Sequence, residues 1–131
     1  MVEAHAETGG NLVAAMEVPR AQVSSYGILD ARGAWGDLMR VRGMVEKPSP
    51  DAAPSTLAVI GRYILTPQVL DHLGGQAAGA GGEIQLTDAI AAEIGRTGVH
   101  GLRFEGRRYD CGSKAGYLQA TVAFALARDD L

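Results

Sequence analysis

The chain has 131 residues, of which 47% are hydrophobic, and it carries a formal net charge of −3 at pH 7. These values favour one globular domain with an apolar core, and the acidic charge without a basic tract argues against nucleic acid as a partner. A single cysteine, Cys111, excludes a disulfide framework and a zinc cluster and favours a reducing, cytoplasmic setting. No apolar run approaches the roughly 20 residues that span a bilayer, which argues against a membrane partner.

The first half of the chain predicts a helix followed by three strands. Residues 1–8 are typical of the end of a helix, and residues 11–18 form an almost continuous apolar run that suits a strand covered on both faces. Residues 26–30 and 38–46 predict two more strands, and the glycine-rich residues 31–37 between them predict a turn. This short connection favours pairing of the two strands as a hairpin.

The next part of the chain predicts a fourth strand and then two helices around a glycine loop. Residues 57–65 predict the strand, and Thr66 is the predicted N-cap of the helix that follows it. The glycines within residues 74–82 predict a flexible loop. After this loop, residues 83–96 carry apolar side chains at every fourth position, which is typical of a helix.

The last part predicts a hairpin and a closing helix. Residues 99–104 and 107–109 flank Glu105-Gly106 and predict a pair of strands. Ser113 is the predicted N-cap of a helix that runs to residue 128 and has a broad apolar face. This order of strands and helices predicts an α/β fold that occupies residues 1–131 as a single domain.

Glu46 and Lys47 stand at the end of the predicted third strand, directly before Pro48. Neighbouring side chains of a strand point to opposite faces, so the two can share a site only where the strand ends and the chain turns. The dipeptide alone is typical of a surface ion pair worth about 0–1 kcal/mol. The functional alternative is a carboxylate that accepts from sugar hydroxyls beside an ammonium that binds phosphate, with roughly 1.5–3 kcal/mol per charge-assisted hydrogen bond.

Two further segments have both a structural and a functional interpretation. Gly27 follows Ser24-Ser25-Tyr26, and it either enters a strand or lets its backbone approach a ligand closely. Glu83 and Asp88 suit the start of a helix, where acidic side chains interact favourably with the macrodipole. We interpret both of these acids as structural.

Asp110 lies where a strand is predicted to meet the start of the last helix. An aspartate in this place is commonly a cap, and the functional alternative is a hard oxygen ligand for Mg²⁺. With no histidine close in sequence, we interpret the adjacent Cys111 as a small packing residue rather than a nucleophile. The sequence contains neither the G-x-G-x-x-G nor the G-x-x-x-x-G-K-[ST] phosphate loop.

Taken together and in this order, these segments resemble the bacterial UTP–glucose-1-phosphate uridylyltransferases, a family of sugar-nucleotide pyrophosphorylases. The resemblance covers nearly the whole chain, and its most specific parts are residues 82–90 and Asp110-Cys111-Gly112-Ser113-Lys114, which favour this family over the related thymidylyltransferases. The matching stretches are residues 7–11, 17–19, 24–30, 45–48, 61–63, 82–90 and 110–114.

The resemblance implies a Rossmann-like nucleotide-diphospho-sugar transferase fold, with a mixed α/β sheet flanked by helices. The family joins UTP and glucose 1-phosphate to give UDP-glucose and pyrophosphate, with Mg²⁺ as cofactor. The family's glycine-rich triphosphate loop and uracil-binding residues belong to its N-terminal half and have no counterpart in this sequence. The chain therefore resembles the C-terminal, sugar-phosphate-binding half alone, and we expect it to be inactive by itself.

The resemblance also assigns roles to individual residues. Gly27 would contact the sugar through its backbone, and Glu46 would bind the glucose hydroxyls. Lys47 would be the catalytic residue that binds the sugar phosphate, and Val59 would line the sugar pocket. Asp110 would be one of the Mg²⁺ ligands.

The absent half also bears on assembly. It would supply the central strands of the sheet, so a sheet built from Asn11 onward is expected to have lost neighbours, and such an open edge favours pairing with another chain in a homo-oligomer. Two alternatives remain open from the sequence. The chain is either a non-catalytic oligomerisation or sugar-nucleotide-binding module, or part of a sister pyrophosphorylase that uses another nucleotide.

Overall fold

The computed structural model describes residues 1–75 and 83–130, so the predicted glycine loop at residues 74–82 lies almost entirely outside the described residues. In this part of the chain, no helix is long and apolar enough to cross a membrane. In chain order, the elements are α1 (Val2–Thr8), β1 (Asn11–Glu17), a 3₁₀ helix (Arg20–Ser25), β2 (Gly27–Trp35), β3 (Leu38–Glu46), β4 (Leu57–Ile64), α2 (Pro67–Gly75), α3 (Leu86–Ala92), β5 (Val99–Arg103) and α4 (Lys114–Leu126).

The strands form one mixed sheet, in the order β1-β4-β2-β3-β5, and β5 closes the sheet by pairing with β1. β1 and β5 run parallel, whereas the other neighbouring strands run antiparallel. The main apolar core combines side chains of this sheet with Val69 of α2 and Ile90 of α3, both fully buried. The predicted α/β fold with a mixed sheet is therefore confirmed, but the sheet curls into a closed barrel.

β1 is paired on both sides, so the open edge expected for a sheet built from Asn11 onward does not lie on this strand; β4 has the sparser pairing, since among the described residues it pairs with β2 only at Ile28 and Ala58. Residues 12–17 pair with β4 on one side, and residues 11–15 pair with β5 on the other. Residues 11–15 are also buried, as expected for a strand covered on both faces. Self-association through the edge of β1 is excluded in this arrangement, because its backbone groups are already paired.

β2 and β3 form the predicted hairpin, but β2 is longer than predicted. It continues to Trp35, so the connecting turn is Gly36-Asp37 and not residues 31–37. The ladder shifts register twice within β2, the second time across Gly33, whose φ is +65°. This glycine therefore allows a bulge inside a strand, where the sequence suggested a turn.

The predicted hairpin of residues 99–104 and 107–109 is wrong. β5 pairs with β1 on one side and with β3 on the other, so it has no free edge for a further strand. Residues 107–109 accordingly have no regular secondary structure. The turn residues Glu105-Gly106 did not predict a hairpin correctly, because both edges of β5 are paired with strands that are distant in sequence.

The predicted helix starts are only partly correct. Ser113 caps α4, since its Oγ accepts a hydrogen bond from the Gly116 N–H at 3.1 Å. α2 begins at Pro67, directly after Thr66 as predicted, but the Thr66 side chain makes no capping bond. Its buried Oγ1 has no hydrogen-bond partner among the described residues, and its backbone N–H donates to Asn11 Oδ1 at 2.8 Å. The helix predicted for residues 83–96 forms only over Leu86–Ala92.

A polar cluster around Glu93 ties the start of β1 to the segments after α3 and to α2. The Glu93 side chain is 1% exposed, and its carboxylate accepts from Thr97 Oγ1 at 2.7 Å and from His72 Nε2 at 2.8 Å. Thr97 Oγ1 in turn accepts from Asn11 Nδ2 at 2.9 Å. The pKa of Glu93 lies below its ordinary 4.5, mainly because of the hydrogen bond from Thr97. The hydrogen bond from His72 and the charges of His72 and Arg96 lower this pKa further, and together these effects outweigh burial, which raises it.

We expect Glu93→Gln to destabilise the chain at neutral pH and to have a smaller effect in acid. Because folding lowers the pKa of Glu93, its ionised form stabilises the fold above pH 4.5, and this contribution is lost as pH falls through the folded-state pKa. Urea unfolding at several pH values checks this, with the exposed Glu105→Gln as control. An equal gap between Glu93→Gln and the parent chain at pH 7 and pH 3 would contradict it.

Candidate functional site

The end of β3 carries the charged pair that the sequence singled out. Gly27, the first residue of β2, pairs directly with Glu46, the last residue of β3. The two oxygens of the Glu46 carboxylate have different neighbours, because Oε2 accepts a hydrogen bond from Thr87 Oγ1 at 2.6 Å whereas Oε1 lies 4.0 Å from Lys47 Nζ. The structure thus brings Gly27, Glu46 and Lys47 together and adds Thr87.

Lys47 has a strained backbone. Its φ is +45°, and among the described residues it is the one non-glycine residue with a positive φ. For a residue with a Cβ, this left-handed conformation costs roughly 1–2 kcal/mol, and the following Pro48 restricts the backbone further. The Lys47 N–H donates to Tyr26 O at 3.0 Å, which anchors the turn to the start of β2. Such strain typically persists at ligand-binding and catalytic positions.

We expect Lys47→Asn to raise the free energy of unfolding by about 0.5–1 kcal/mol, because asparagine tolerates the left-handed region better than lysine does. Lys47→Ala is the matched comparison, since it removes the same ammonium group and keeps the strain. Urea unfolding measures the free energy of unfolding of the parent chain and the two variants, and we expect it to be highest for Lys47→Asn. An asparagine variant no more stable than the alanine variant would show that the backbone at position 47 stores no strain.

Gly27 is required by the close approach of side chains and not by its own backbone angles. A Cβ added at Gly27 would lie 3.1 Å from Glu46 Oε2 and 3.2 Å from Thr87 Oγ1. An alanine at this position would therefore require the carboxylate and the hydroxyl to shift by a few tenths of an ångström. The predicted contact between the Gly27 backbone and a sugar stays a prediction.

Tyr63, which is not one of the predicted site residues, responds to the charge of Glu46. Burial raises the pKa of its phenol, and the negative charge of Glu46 raises it further. The hydroxyl is thus kept neutral, able both to donate and to accept a hydrogen bond. The stretch Gly61-Arg62-Tyr63 was noted in the sequence, but nothing in it indicated proximity to Glu46.

Thr87 belongs to the segment that the sequence predicts to be the start of a helix, and it is the second residue of α3. Asp88 lies in the first turn of α3, as expected of an acid that favours the macrodipole, whereas Glu83 precedes the helix. Gly82, which begins this motif, lies outside the described residues. The side chain that reaches Glu46 belongs to neither of these acids but to Thr87, directly before Asp88.

Val59 is buried in the main apolar core with Met44 and Val69. It directly follows Ala58, which pairs with Ile28, the residue after Gly27. Its predicted role in lining a sugar pocket stays a prediction.

Asp110 is exposed in the turn before α4, and its Oδ1 accepts from the Gly112 N–H at 3.1 Å. Nearby, Arg108 donates to the Tyr26 hydroxyl at 3.3 Å and lies over its ring, which holds this segment against the residue before Gly27. Cys111 is exposed, so its interpretation as a packing residue is wrong.

Within the described residues, Asp110 is the candidate Mg²⁺ ligand that the sequence singled out, and it would be one of the ligands of the ion. In the described part of the chain, no group of three His, Cys, Asp or Glu residues lies close enough to hold a metal. The second carboxylate oxygen, Oδ2, has no hydrogen-bond partner there and is exposed. This arrangement fits Mg²⁺, which typically takes one or two carboxylates together with substrate phosphates and water.

The fold thus has a charged pair at the end of β3 and, in the segment that Arg108 ties to Tyr26, an exposed aspartate before α4. The chain matches the nucleotidyl transferase family over residues 1–125, and it belongs to this family. It is 58% identical over 114 residues to UTP–glucose-1-phosphate uridylyltransferase of Komagataeibacter xylinus, covering 87% of this chain and 40% of that protein. It is 44% identical over 131 residues to UTP–glucose-1-phosphate uridylyltransferase 2 of Staphylococcus saprophyticus, covering 100% of this chain and 45% of that protein.

Solved structures support the same relationship. A crystal structure of UDP-glucose pyrophosphorylase complexed with UDP-glucose superposes with a TM-score of 0.91 at 39% identity, covering 98% of this chain and 48% of that one. The UTP-bound UGPase from Acinetobacter baumannii gives a TM-score of 0.87 at 35% identity, covering 100% and 45%. The predicted family resemblance and fold are confirmed, and the chain spans less than half the length of these relatives.

Proposed function

We propose that this chain forms the glucose-1-phosphate-binding part of a UTP–glucose-1-phosphate uridylyltransferase, the C-terminal half in the order of the family. The observation that carries the proposal is the strained turn at Lys47, which holds an ammonium beside the Glu46 carboxylate at the end of β3. Relatives that bear this name match nearly the whole chain, whereas their remaining length has no counterpart in it.

In this function, Glu46 accepts hydrogen bonds from the glucose hydroxyls, and the Gly27 backbone and Val59 complete the sugar site. The Lys47 ammonium binds the phosphate and offsets its charge. An oxygen of that phosphate attacks the α-phosphorus of UTP in line, the bond to the β-phosphate breaks, and pyrophosphate leaves. No covalent enzyme intermediate is required, because positioning and charge neutralisation suffice for such a transfer.

Asp110 would hold Mg²⁺ with one carboxylate oxygen, and the bound ion would neutralise charge on the phosphates of UTP. UTP, glucose 1-phosphate and UDP-glucose are the small-molecule partners in this proposal, and they are compatible with a cytoplasmic enzyme. Nucleic acid and membranes have no role in it.

The test is a chimera in which this chain replaces the matching segment of the Komagataeibacter xylinus enzyme. We expect the chimera to form UDP-glucose from UTP and glucose 1-phosphate, and we expect the 131-residue chain alone to form none. A chimera that folds but forms no UDP-glucose would contradict the proposal. Replacing UTP with dTTP in the same assay tests the alternative of a sister pyrophosphorylase, which preferential use of dTTP would favour.

A second candidate function is assembly without catalysis, and the exposed face of α4 favours it. Only Gly116 and Ala120 are buried in this helix, while its large apolar side chains face outward: Tyr117, Leu118, Val122, Phe124 and Leu126. The predicted homo-oligomer would bury this face against a second copy. Light scattering would support it if the chain forms a defined dimer that Leu118→Lys dissociates, and a monomer at high concentration would rule it out.

A further inference from the structure

Thr87 is placed by the core and not by the charged pair that it contacts. It lies in the first turn of α3, and the next turn of that helix contributes Ala89 and Ile90, both fully buried in the main apolar cluster. The packing of these two side chains fixes the helix against the sheet. The Thr87 hydroxyl is therefore held at a set point from which it donates to Glu46 Oε2 at 2.6 Å.

This hydrogen bond makes the two carboxylate oxygens inequivalent. Oε2 accepts the hydrogen bond from Thr87 and lies next to Gly27, where a Cβ, if present, would be 3.1 Å from this oxygen. Oε1 is the oxygen on the side of Lys47. Since the terminal torsion of a glutamate is soft and roughly two-fold, a carboxylate without such a partner would rotate readily.

The charged pair is open in this arrangement. Lys47 Nζ and Glu46 Oε1 are 4.0 Å apart, well beyond the roughly 2.7–2.9 Å of a charge-assisted hydrogen bond. If the carboxylate were free to turn, it would close onto the ammonium. Both groups would then be engaged with each other, and each would have to be released before it could bind a ligand.

We propose that Thr87 is a positioning residue for hexose 1-phosphate recognition: its hydroxyl orients Glu46 so that Oε1 accepts from a sugar hydroxyl, and it keeps Glu46 from closing onto Lys47. The inference rests on the proposed function for its ligand, but its geometric part concerns the ligand-free chain. Thr87 is then a determinant of sugar selectivity, because a carboxylate oxygen held in one place distinguishes between hydroxyl positions on the sugar, whereas a rotating carboxylate does not.

The first test compares Thr87→Val, which keeps the shape and removes the hydroxyl, with Thr87→Ser, which keeps the hydroxyl. By calorimetry on the full 131-residue chain, we expect Thr87→Val to weaken glucose 1-phosphate binding roughly tenfold and to reduce the preference over galactose 1-phosphate. Thr87→Ser should remain close to the parent chain in both. Thr121→Val is the matched control, since that hydroxyl only donates to Tyr117 O within α4.

Equal binding by Thr87→Val and the parent chain would overturn the inference, as would a serine variant as weak as the valine variant. A loss of affinity with unchanged sugar selectivity would reduce Thr87 to a purely structural residue.

The second test needs no ligand and separates this inference from the proposed function. In a crystal structure of the ligand-free Thr87→Val chain, we expect the Glu46 carboxylate to turn and contact Lys47 Nζ, closing the present 4.0 Å separation. An unmoved carboxylate would overturn the positioning role even if the sugar phosphate binds. Conversely, a closed ion pair in a chain whose parent binds no glucose 1-phosphate would refute the proposed function and leave the positioning role standing.

Discussion

Lys47→Ala is expected to lower kcat/KM for glucose 1-phosphate by roughly 10- to 150-fold in the chimeric enzyme and to leave the KM for UTP nearly unchanged. The range corresponds to the roughly 1.5–3 kcal/mol of a hydrogen bond to a charged group, at about 1.4 kcal/mol per tenfold. The selectivity for one substrate follows from position, because Lys47 sits beside the carboxylate assigned to the sugar. Steady-state kinetics with each substrate varied in turn measures both effects.

The control for this variant is Arg32→Ala, which removes an exposed cation from the same hairpin. We expect the control to behave like the parent enzyme with both substrates. Equal losses for UTP and glucose 1-phosphate in Lys47→Ala would contradict the assignment of Lys47 to the sugar phosphate, because they would indicate a general defect of the site.

Gly27→Ala is expected to lower kcat/KM for glucose 1-phosphate by about tenfold while the fold stays intact. The added Cβ would press on Glu46 Oε2 at 3.1 Å and on Thr87 Oγ1 at 3.2 Å, so both must shift by a few tenths of an ångström. Because a displacement of about 1 Å can cost about 10²-fold in rate, a smaller shift is expected to cost less. The residue has no positive φ, so an alanine adds no backbone strain.

Gly43→Ala is the matched control for Gly27→Ala. Gly43 lies in β3 of the same hairpin, and its added Cβ would meet only Asp30 Cβ at an ordinary 3.6 Å. Kinetics and urea unfolding should show the Gly27 variant impaired in activity and both variants similar in stability. If the two variants were equally active, the close packing at Gly27 would have no functional meaning.

The central pair of the site was predictable because its cause is local. An apolar run that ends in Glu46-Lys47-Pro48 contains the strand, its end and the proline that restricts the turn, and β3 indeed ends at Glu46. The pairing of β2 with β3 was predictable from their short connection, but the register was not: Gly27 lies opposite Glu46 because β2 continues to Trp35 and the ladder shifts register twice. What the sequence did not indicate is the positive φ of Lys47, which a lysine rarely adopts.

Thr87 could not be predicted, because its contact with Glu46 spans 41 residues of sequence and depends on how α3 packs. The helical pattern of residues 83–96 indicated an apolar face, but not which part of the sheet that face would cover. The same limit explains the closed barrel: local patterns identified β1 and β5 as strands, and only their long-range parallel pairing joins them. Tyr63 was missed for the same reason.

The most direct test of the account is an NMR titration of the isotopically labelled 131-residue chain with glucose 1-phosphate. We predict saturable shifts centred on the backbone amides of Gly27, Glu46 and Lys47, much weaker with glucose or inorganic phosphate alone and strongly reduced in Lys47→Ala. No saturable change at these residues, or an equal response to inorganic phosphate alone, would contradict the assignment of this strand end as a sugar-phosphate site.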